Sequence, residues 1–450
     1  MTTLFQAPIH SHQQTDVLVI GGGTAGIAAA VCAARRGCKT LLIEREFSLG
    51  GTAVSGLVGP FMTCSDPKGE RKLIRGFFEE LVNRMIALGG AVDPMTLPNC
   101  DCHSSWHPNG HRNLTPFSSE VLKYAAEELC LQYQVELLYG AQLISMERDA
   151  SKQRIAKAVF AAKEGLIAVA PKMVIDCTGD GDAAFLAGCP MEKGDPQSGE
   201  MQAASLFFLL DGLDEDIMQR RSEELGWESM RFEKEIAEAA ANGDYPIPRR
   251  RLGLYKSCDG FWRANVTRLP GVDGTSSESL THAAMEGRKQ IFAIIHFLRK
   301  YVRGAENARL IQSAASPGIR ETRRIKGDFV MTEQDLVNGT IFPDAILLCA
   351  NSRDVHAGLV GRYLPQENIY SLPYRMLIPA GVDNILAAGR NVSCDRAVLS
   401  AIRVMPPCFG MGQAAGNAAA LALQSGKCTA QIDIHELQTR LRAENVVLEP

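Results

Sequence analysis

The chain lacks several features that would each have fixed a class. None of its apolar runs reaches the roughly 18 residues a bilayer span needs, so a membrane is not expected as its partner. Charge is nearly balanced, at −4 over 450 residues, and a strong basic patch for nucleic acid is missing. The thirteen cysteines include no Cys-x-x-Cys pair. That excludes a dithiol relay and an iron–sulfur ligand run, and an odd, irregular set reads as reduced, buried thiols in a cytoplasmic protein rather than a disulfide framework. Residues 1–14 carry His and Gln where a signal peptide would be apolar, so they are expected to form a short disordered arm.

What is present begins with Asp16-Val17-Leu18-Val19-Ile20, then Gly21-Gly22-Gly23-Thr24-Ala25-Gly26, then the Ala-rich run from Ile27 to Arg36. This is strand, tight turn, helix, the arrangement that presents bare backbone N–H groups to a pyrophosphate. Gly21 makes the turn, Gly23 admits the phosphate, and Gly26 lets helix and strand lie close, with Thr24 and Ala25 in the first helical turn. A second strand, Lys39 to Ile43, ends in Glu44, where an acid accepts the hydroxyls of an adenosine ribose. Arg45 leads into a loop with another glycine pair and Thr52 (Gly50-Gly51-Thr52), whose backbone is expected to touch the ligand.

Helical spacing continues over 73–88, and Ser118 or Ser119 caps a helix to about Gln132. The apolar strand Met173-Val174-Ile175 carries Asp176-Cys177-Thr178-Gly179-Asp180-Gly181-Asp182 at its end. From about 200 to 310 the character changes, with acid- and arginine-rich helices, a Pro/Arg turn at 245–251, strand-like residues 261–268, and a long helix stopped at Gly304. Nucleotide-domain style returns at Ile346 to Cys349, at Asn384 to Arg390, and in the small-residue helix Gly412 to Leu423. The fold class expected is α/β: a Rossmann-like domain with a parallel sheet, interrupted by an inserted α+β domain. Its boundaries would be 12–200 and 311–430 for the nucleotide-binding domain (60–116 being an excursion toward the substrate side), 201–310 for the insertion, and 431–450 for a C-terminal helix and tail.

Val19-Ile20-Gly21 through Gly26, Gly50-Gly51-Thr52, Cys177 to Asp182, Pro373-Tyr374-Arg375, Ala388-Gly389-Arg390, and Ile402 to Pro406 running on to Gly416 together resemble the FAD-dependent oxidoreductases of glutathione-reductase-like architecture. Within these the chain is most similar to the bacterial subfamily related to the flavin subunit of heterodisulfide reductase and, more distantly, to fumarate reductase flavoproteins. The resemblance implies FAD, held without a covalent bond, in a non-contiguous domain. It implies Glu44 on the adenosine ribose, Gly21, Gly23 and Gly26 on the pyrophosphate, Asp180 near the ribityl chain or phosphates, Gly389 and Arg390 beside the cofactor, and Met411, Gly412, Gln413 and Ala414 at the flavin pyrimidine edge. One departure bears on chemistry. Asp395-Arg396 stands where many relatives have a pair ending in His, and arginine does not shuttle protons near pH 7. Arg396 either faces the flavin or pairs with Asp395 at a helix start.

With one dinucleotide fingerprint and no second, the chain is expected to lack its own NAD(P)H domain. The function that follows is hydride transfer between flavin N5 and a small polar, oxygenated or anionic metabolite, with self-association left open; the alternative is an electron-transfer subunit of a larger complex. Candidate catalytic groups are Arg375, Arg396, Arg403, Tyr374, His107 and His111. The last two lie in the loop Cys100 to His111, read as an acid/base loop, a surface loop or a zinc site. Arg320, Arg323, Arg324 and Lys326 would bind an anion or be ion-paired, and Asn265 and Arg268 would cover the substrate or decorate a sheet.

Overall fold

A computed structural model describes residues 7–97, 114–356 and 362–450. Six strands build the main sheet: β1 (Ile9–Ile20), β2 (Thr40–Glu44), β3 (Glu136–Tyr139), β4 (Gln142–Arg148), β5 (Ile155–Ala162) and β6 (Gly165–Asp176), in the order β3-β2-β1-β6-β5-β4, with Ile385–Ala387 added along the end of β6. β1, β2, β3, β6 and Ile385–Ala387 run parallel; β5 is antiparallel to β4 and β6. The β2 residues are buried throughout, as expected of a parallel strand covered on both faces. This is a Rossmann-like α/β fold, whose ligand crevice lies beyond the carboxyl ends of the strands: Ile20, Glu44, Asp176 and Ala387 all point there. The N-terminal arm differs from expectation. From Ile9 it is strand, because β6 is long enough for Ile9 to pair with Leu166.

The helix after β1, Thr24–Arg35, is buried from Thr24 through Ala33. Over it lies a second helix, Met405–Ser425, buried from Met405 through Ala422. Glycines where the two helices meet allow this. A Cβ at Gly412 would sit 2.0 Å from the Ala25 carbonyl oxygen, and one at Gly416 would sit 2.3 Å from that of Ala29. The second helix therefore begins seven residues before the Gly412 predicted from the sequence, with Pro406 and Pro407 in its first turn, where a missing N–H costs nothing.

Residues 206–314 contribute to a separate apolar core, in which Leu206, Phe208, Trp262, Ile291, Ile294 and Leu298 are 1% exposed or less. Its sheet has the order Arg309–Ser313, Phe208–Asp211, Trp262–Ala264, Leu254–Lys256, all antiparallel, and the 25-residue helix Ser277–Tyr301 packs on it. Arg263 joins this core to the nucleotide side: its guanidinium donates to the Leu57 and Phe117 carbonyls and to Ser119 Oγ. The last helix, Ile434–Ala443, buries Leu437 and Leu441 in the main core. Among the described residues, no helix is long and apolar enough to cross a membrane.

Candidate functional site

At the end of β1 the chain turns through Gly21, whose φ of +99° is open to glycine, and whose Cβ would lie 2.6 Å from the Cys177 carbonyl oxygen. Gly26 is fixed by contact, since a Cβ there would meet Gly21 O at 1.8 Å. Gly23 is the open one. It is the helix N-cap, with no side chain capping the first-turn N–H groups, and the nearest atom to its absent Cβ is Gly51 Cα at 3.9 Å. Gly23 and Gly51 thus meet backbone to backbone, a Cβ at Gly51 lying 2.9 Å from Gly23 Cα, and the helix N-terminus left without a side-chain cap suits a pyrophosphate lying on it. Thr24 and Ala25 follow, buried in the first turn, and Thr52 is half-buried beside Gly51.

Glu44 ends β2 with its carboxylate turned to this turn. Gly22 N–H donates to Oε2 (2.5 Å) and Glu46 N–H to Oε1 (2.9 Å). Burial raises its pKa and the two backbone donors oppose the rise. Each oxygen keeps a further lone pair for a ribose hydroxyl. Arg45 is exposed and 3.8 Å from Glu46.

The end of β6 is held by its own acid. Asp176, fully buried, accepts from Thr178 N–H, Thr178 Oγ1 and Ala184 N–H, and burial pushes it up to about 6. Asp180 Oδ1, two residues past Thr178, accepts from Thr322 Oγ1 (2.8 Å) and Arg390 Nη2 (3.0 Å). Arg390 is thereby aimed at the loop, and its Nη1 is buried with no partner. Gly389 (φ +115°) brings the same segment beside the helix, 3.6 Å from Ala25 Cβ on the missing-side-chain side. The uncapped N–H groups at Gly23, the Glu44 carboxylate and the orphaned Arg390 nitrogen fit a dinucleotide that reaches from β2 across β1 toward Ile385–Ala387.

The four residues expected at the flavin edge are buried among packed helices. Met411, Gly412, Gln413 and Ala414 lie in the second turn of their helix and beyond, at 0 to 1% exposure for Met411, Gln413 and Ala414. Gln413 Oε1 accepts Phe77 N–H and Nε2 donates to Glu444, while Gly412 serves helix contact. Arg403 and Val404, just before the helix starts, are half-buried. The Cys408 Sγ, near the start of the helix, points back to the Ile402 and Arg403 carbonyls, and burial pushes the thiol up to about 12, against the pull of Arg390 and Arg403.

The expected catalytic set also separates. Tyr374 is 2% exposed and its hydroxyl donates to Thr429 O, so it is core. Arg375 pairs with Asp344 (3.0 Å) and lies over the Phe329 and Phe342 rings. Arg396 pairs neither with Asp395 nor with open space: Nε donates to Glu321 Oε2 (2.9 Å) and Nη1 to Asp195 Oδ2 (3.0 Å). Asp395 caps the helix instead. The basic run is committed internally, Arg324 to Glu321, Arg323 to Asp182, Arg320 to the Ala203 carbonyl. His107 and His111, with the rest of that Cys/His loop, lie outside the described residues.

Arg403 is placed differently. Its Nη2 donates to the Asp354 carbonyl (3.1 Å) and its Nε is buried without a partner. Asp354 Oδ2 lies 2.7 Å from His356 Nε2, and His356 Nδ1 lies 3.4 Å from Arg268 Nη1. Because arginine only donates, Nδ1 accepts and Nε2 carries the proton. Burial first, then Arg320, depress His356 to about 3. A neutral imidazole with both nitrogens committed is a positioning group, not a proton shuttle. Asp354 and His356 were not singled out from the sequence; Asp354 lies in the short strand Arg353–Val355 and His356 directly follows it.

Over residues 16–441 the chain matches the model of a family described as FAD dependent oxidoreductase, and it belongs to that family. A glutathione reductase from Debaryomyces hansenii is 50% identical over 50 residues, 11% of this chain and 10% of that enzyme. Two solved structures align along most of the chain. A geranylgeranyl bacteriochlorophyll reductase-like protein from Thermoplasma acidophilum is 13% identical, with 96% of this chain and 84% of that one covered at a TM-score of 0.47. A p-nitrophenol 4-monooxygenase from Pseudomonas putida is 11% identical, with 95% and 84% covered at 0.46. Likeness at this level informs neither substrate nor reaction.

Proposed function

Starting from membership of the FAD dependent oxidoreductases, we propose that this protein is a dehydrogenase or reductase that exchanges a hydride with a small polar, oxygenated or anionic metabolite and has no NAD(P)H domain of its own. FAD supplies the two-electron centre. The chain's residues do the rest: Gly23, Gly51 and the first turn after β1 hold the pyrophosphate, Glu44 holds the ribose, and Asp180 keeps Arg390 turned to the cofactor. Residues 12–200 and 311–430 form the cofactor domain, and 201–310 cover the substrate. The finer placement, in the glutathione-reductase-like class near the heterodisulfide reductase flavin subunit, rests on the motifs quoted above.

The observation that carries this reading is the meeting of Arg268, from the inserted part, with His356, Asp354 and Arg403 from the part that carries Arg390. Polar groups converging from two parts of the chain just before the Met405–Ser425 helix are what a substrate pressed against the cofactor would need. An electron-transfer subunit would have no use for them. Anaerobic titration of the purified flavoprotein with hydroxy acids, sugars and amines is the test. Bleaching by one class with no other protein present is expected; a flavin that stays oxidised with every class and bleaches only beside a protein partner overturns the reading.

A further inference from the structure

A continuous run of hydrogen bonds links Arg396 to Arg403 by way of Gln202. Arg396 Nε donates to Glu321 Oε2 (2.9 Å), the same oxygen accepts the Gln202 backbone N–H (3.0 Å), and Gln202 Oε1 accepts the His356 backbone N–H (3.2 Å). His356 Nε2 meets Asp354 Oδ2 (2.7 Å), and the Asp354 carbonyl accepts from Arg403 Nη2 (3.1 Å). Gln202 stands where the chain enters the inserted part. Its neighbour Ala203 donates to the His356 carbonyl (2.9 Å) and accepts from Arg320 Nη1 (2.6 Å), and Ala204 donates to the Leu269 carbonyl (2.9 Å). The backbone on either side of the Gln202 side chain is therefore fixed.

That side chain is 2% exposed, and its amide can face only one way. Oε1 takes the His356 N–H, so exchanging oxygen for nitrogen would set donor against donor. Nε2 is thereby turned away from that N–H, buried and with no partner among the described residues. Other buried glutamines are bonded at both ends. Gln290 accepts the Arg268 N–H and donates to the Arg268 carbonyl, and Gln413 accepts the Phe77 N–H and donates to Glu444. A glutamine placed for packing alone would be bonded in the same way, because an unmade hydrogen bond on a buried amide is costly. At the far end of the run Arg403 Nε is also buried without a partner. Both nitrogens only donate, so what completes them is an acceptor.

We propose that Gln202 is the specificity-determining residue for the substrate, its Nε2 donating to a carbonyl or carboxylate oxygen, with Arg403 Nε as a second donor to the same molecule. Glu321, Asp354 and His356 are positioning residues: Glu321 holds the Gln202 backbone, His356 orients the Gln202 amide, and the Asp354 carbonyl holds Arg403. A substrate offering an ammonium in place of the oxygen would set donor against donor and be rejected. This deepens the reading above and rests on it.

Glycolate, glycolamide and ethanolamine share a hydroxymethyl group and differ at the other end, so calorimetry of the FAD-loaded protein with these three probes tests the proposal. The wild-type protein is expected to bind glycolate or glycolamide roughly tenfold or more tightly than ethanolamine. A preference for glycolate marks a carboxylate as the group recognised, and one for glycolamide a neutral carbonyl. Gln202→Glu keeps an acceptor for the His356 N–H and loses the donor. It is expected to weaken the favoured probe by roughly 10- to 100-fold and to shift the preference toward ethanolamine, with the flavin spectrum retained. Gln202→Met, which has neither group, is expected to lose the same affinity without gaining ethanolamine. Equal binding of all three probes by the wild-type protein, binding of none, or the wild-type preference retained in both variants overturns the proposal. A wild-type protein that purifies without flavin defeats the parent reading instead, whereas a flavin-bearing protein that one substrate class bleaches equally well in wild type and both variants defeats this one alone.

Discussion

Gly23 and Arg396 show how differently single residues of this site are constrained. The nearest atom to a Cβ at Gly23 is 3.9 Å away, so alanine would fold there, but the branched side chain of valine would crowd the uncapped helix N-terminus that the pyrophosphate needs. Gly23→Val is expected to fold with a near-normal far-ultraviolet spectrum and to purify without FAD; normal flavin content would show that the phosphates lie elsewhere. Arg396 is expected to act on stability. Its two carboxylate partners include the fully buried Glu321, which Arg324 holds from the other oxygen. Removing one partner of a buried pair costs about 3–5 kcal/mol when the remaining charge is uncompensated, and Arg324 should reduce that here. Arg396→Met should therefore lower the melting temperature by several degrees and leave the substrate specificity unchanged, which steady-state comparison of two substrates checks. His356 gives a pH signature. Its folded value near 3 lies below the unfolded value of about 6.5, so in that window the unfolded chain takes up a proton that the folded chain refuses. Stability then falls as pH drops from about 6.5 toward 3. His356→Gln should flatten this part of the melting-temperature profile; a variant whose profile runs parallel to wild type would refute the assignment.

At the level of elements, the pair of helices Thr24–Arg35 and Met405–Ser425 explains both what the sequence made legible and what it hid. Small residues in the second helix read as room for a flat ring, yet the room is filled by the first helix: the carbonyls of Ala25 and Ala29 occupy the places of the Gly412 and Gly416 side chains. Two uses of smallness, ligand approach and helix approach, leave the same residue pattern, and spacing does not separate them. The helix start was hidden for a related reason, since Pro406-Pro407 reads as a break although prolines are tolerated in a first turn. Gly412→Val is accordingly expected to damage the fold before the chemistry, by more than the about 1–3 kcal/mol typical of overpacking because the obstacle is backbone. Thermal denaturation should reveal a lower melting temperature even with FAD in excess; an unchanged melting temperature would remove this role from Gly412. The strand–turn–helix from Asp16 to Arg35, by contrast, was legible residue by residue, because Gly21, Gly26 and Glu44 each answer a local backbone demand.

Across the whole molecule, contacts remote in sequence decide which candidate residues matter. Tyr374 and Arg375 sit in a motif that runs near the nucleotide fold, but Thr429 and Asp344, which claim them, are set by tertiary packing. Arg268, Asp354 and Arg403 come from three separate stretches of the sequence, and no local pattern predicts that they converge. The FAD fold was readable because its signals are consecutive; the substrate end was not, because its signals exist only after folding. The measurement that bears most directly on the account is an electron-density map of the FAD-bound protein. The account predicts the adenosine ribose on Glu44, the pyrophosphate on the helix N-terminus at Gly23, and the isoalloxazine ring beside Gly389, Arg390 and Arg403. A ring placed away from Arg390 and Arg403, or an adenosine that does not meet Glu44, would contradict it.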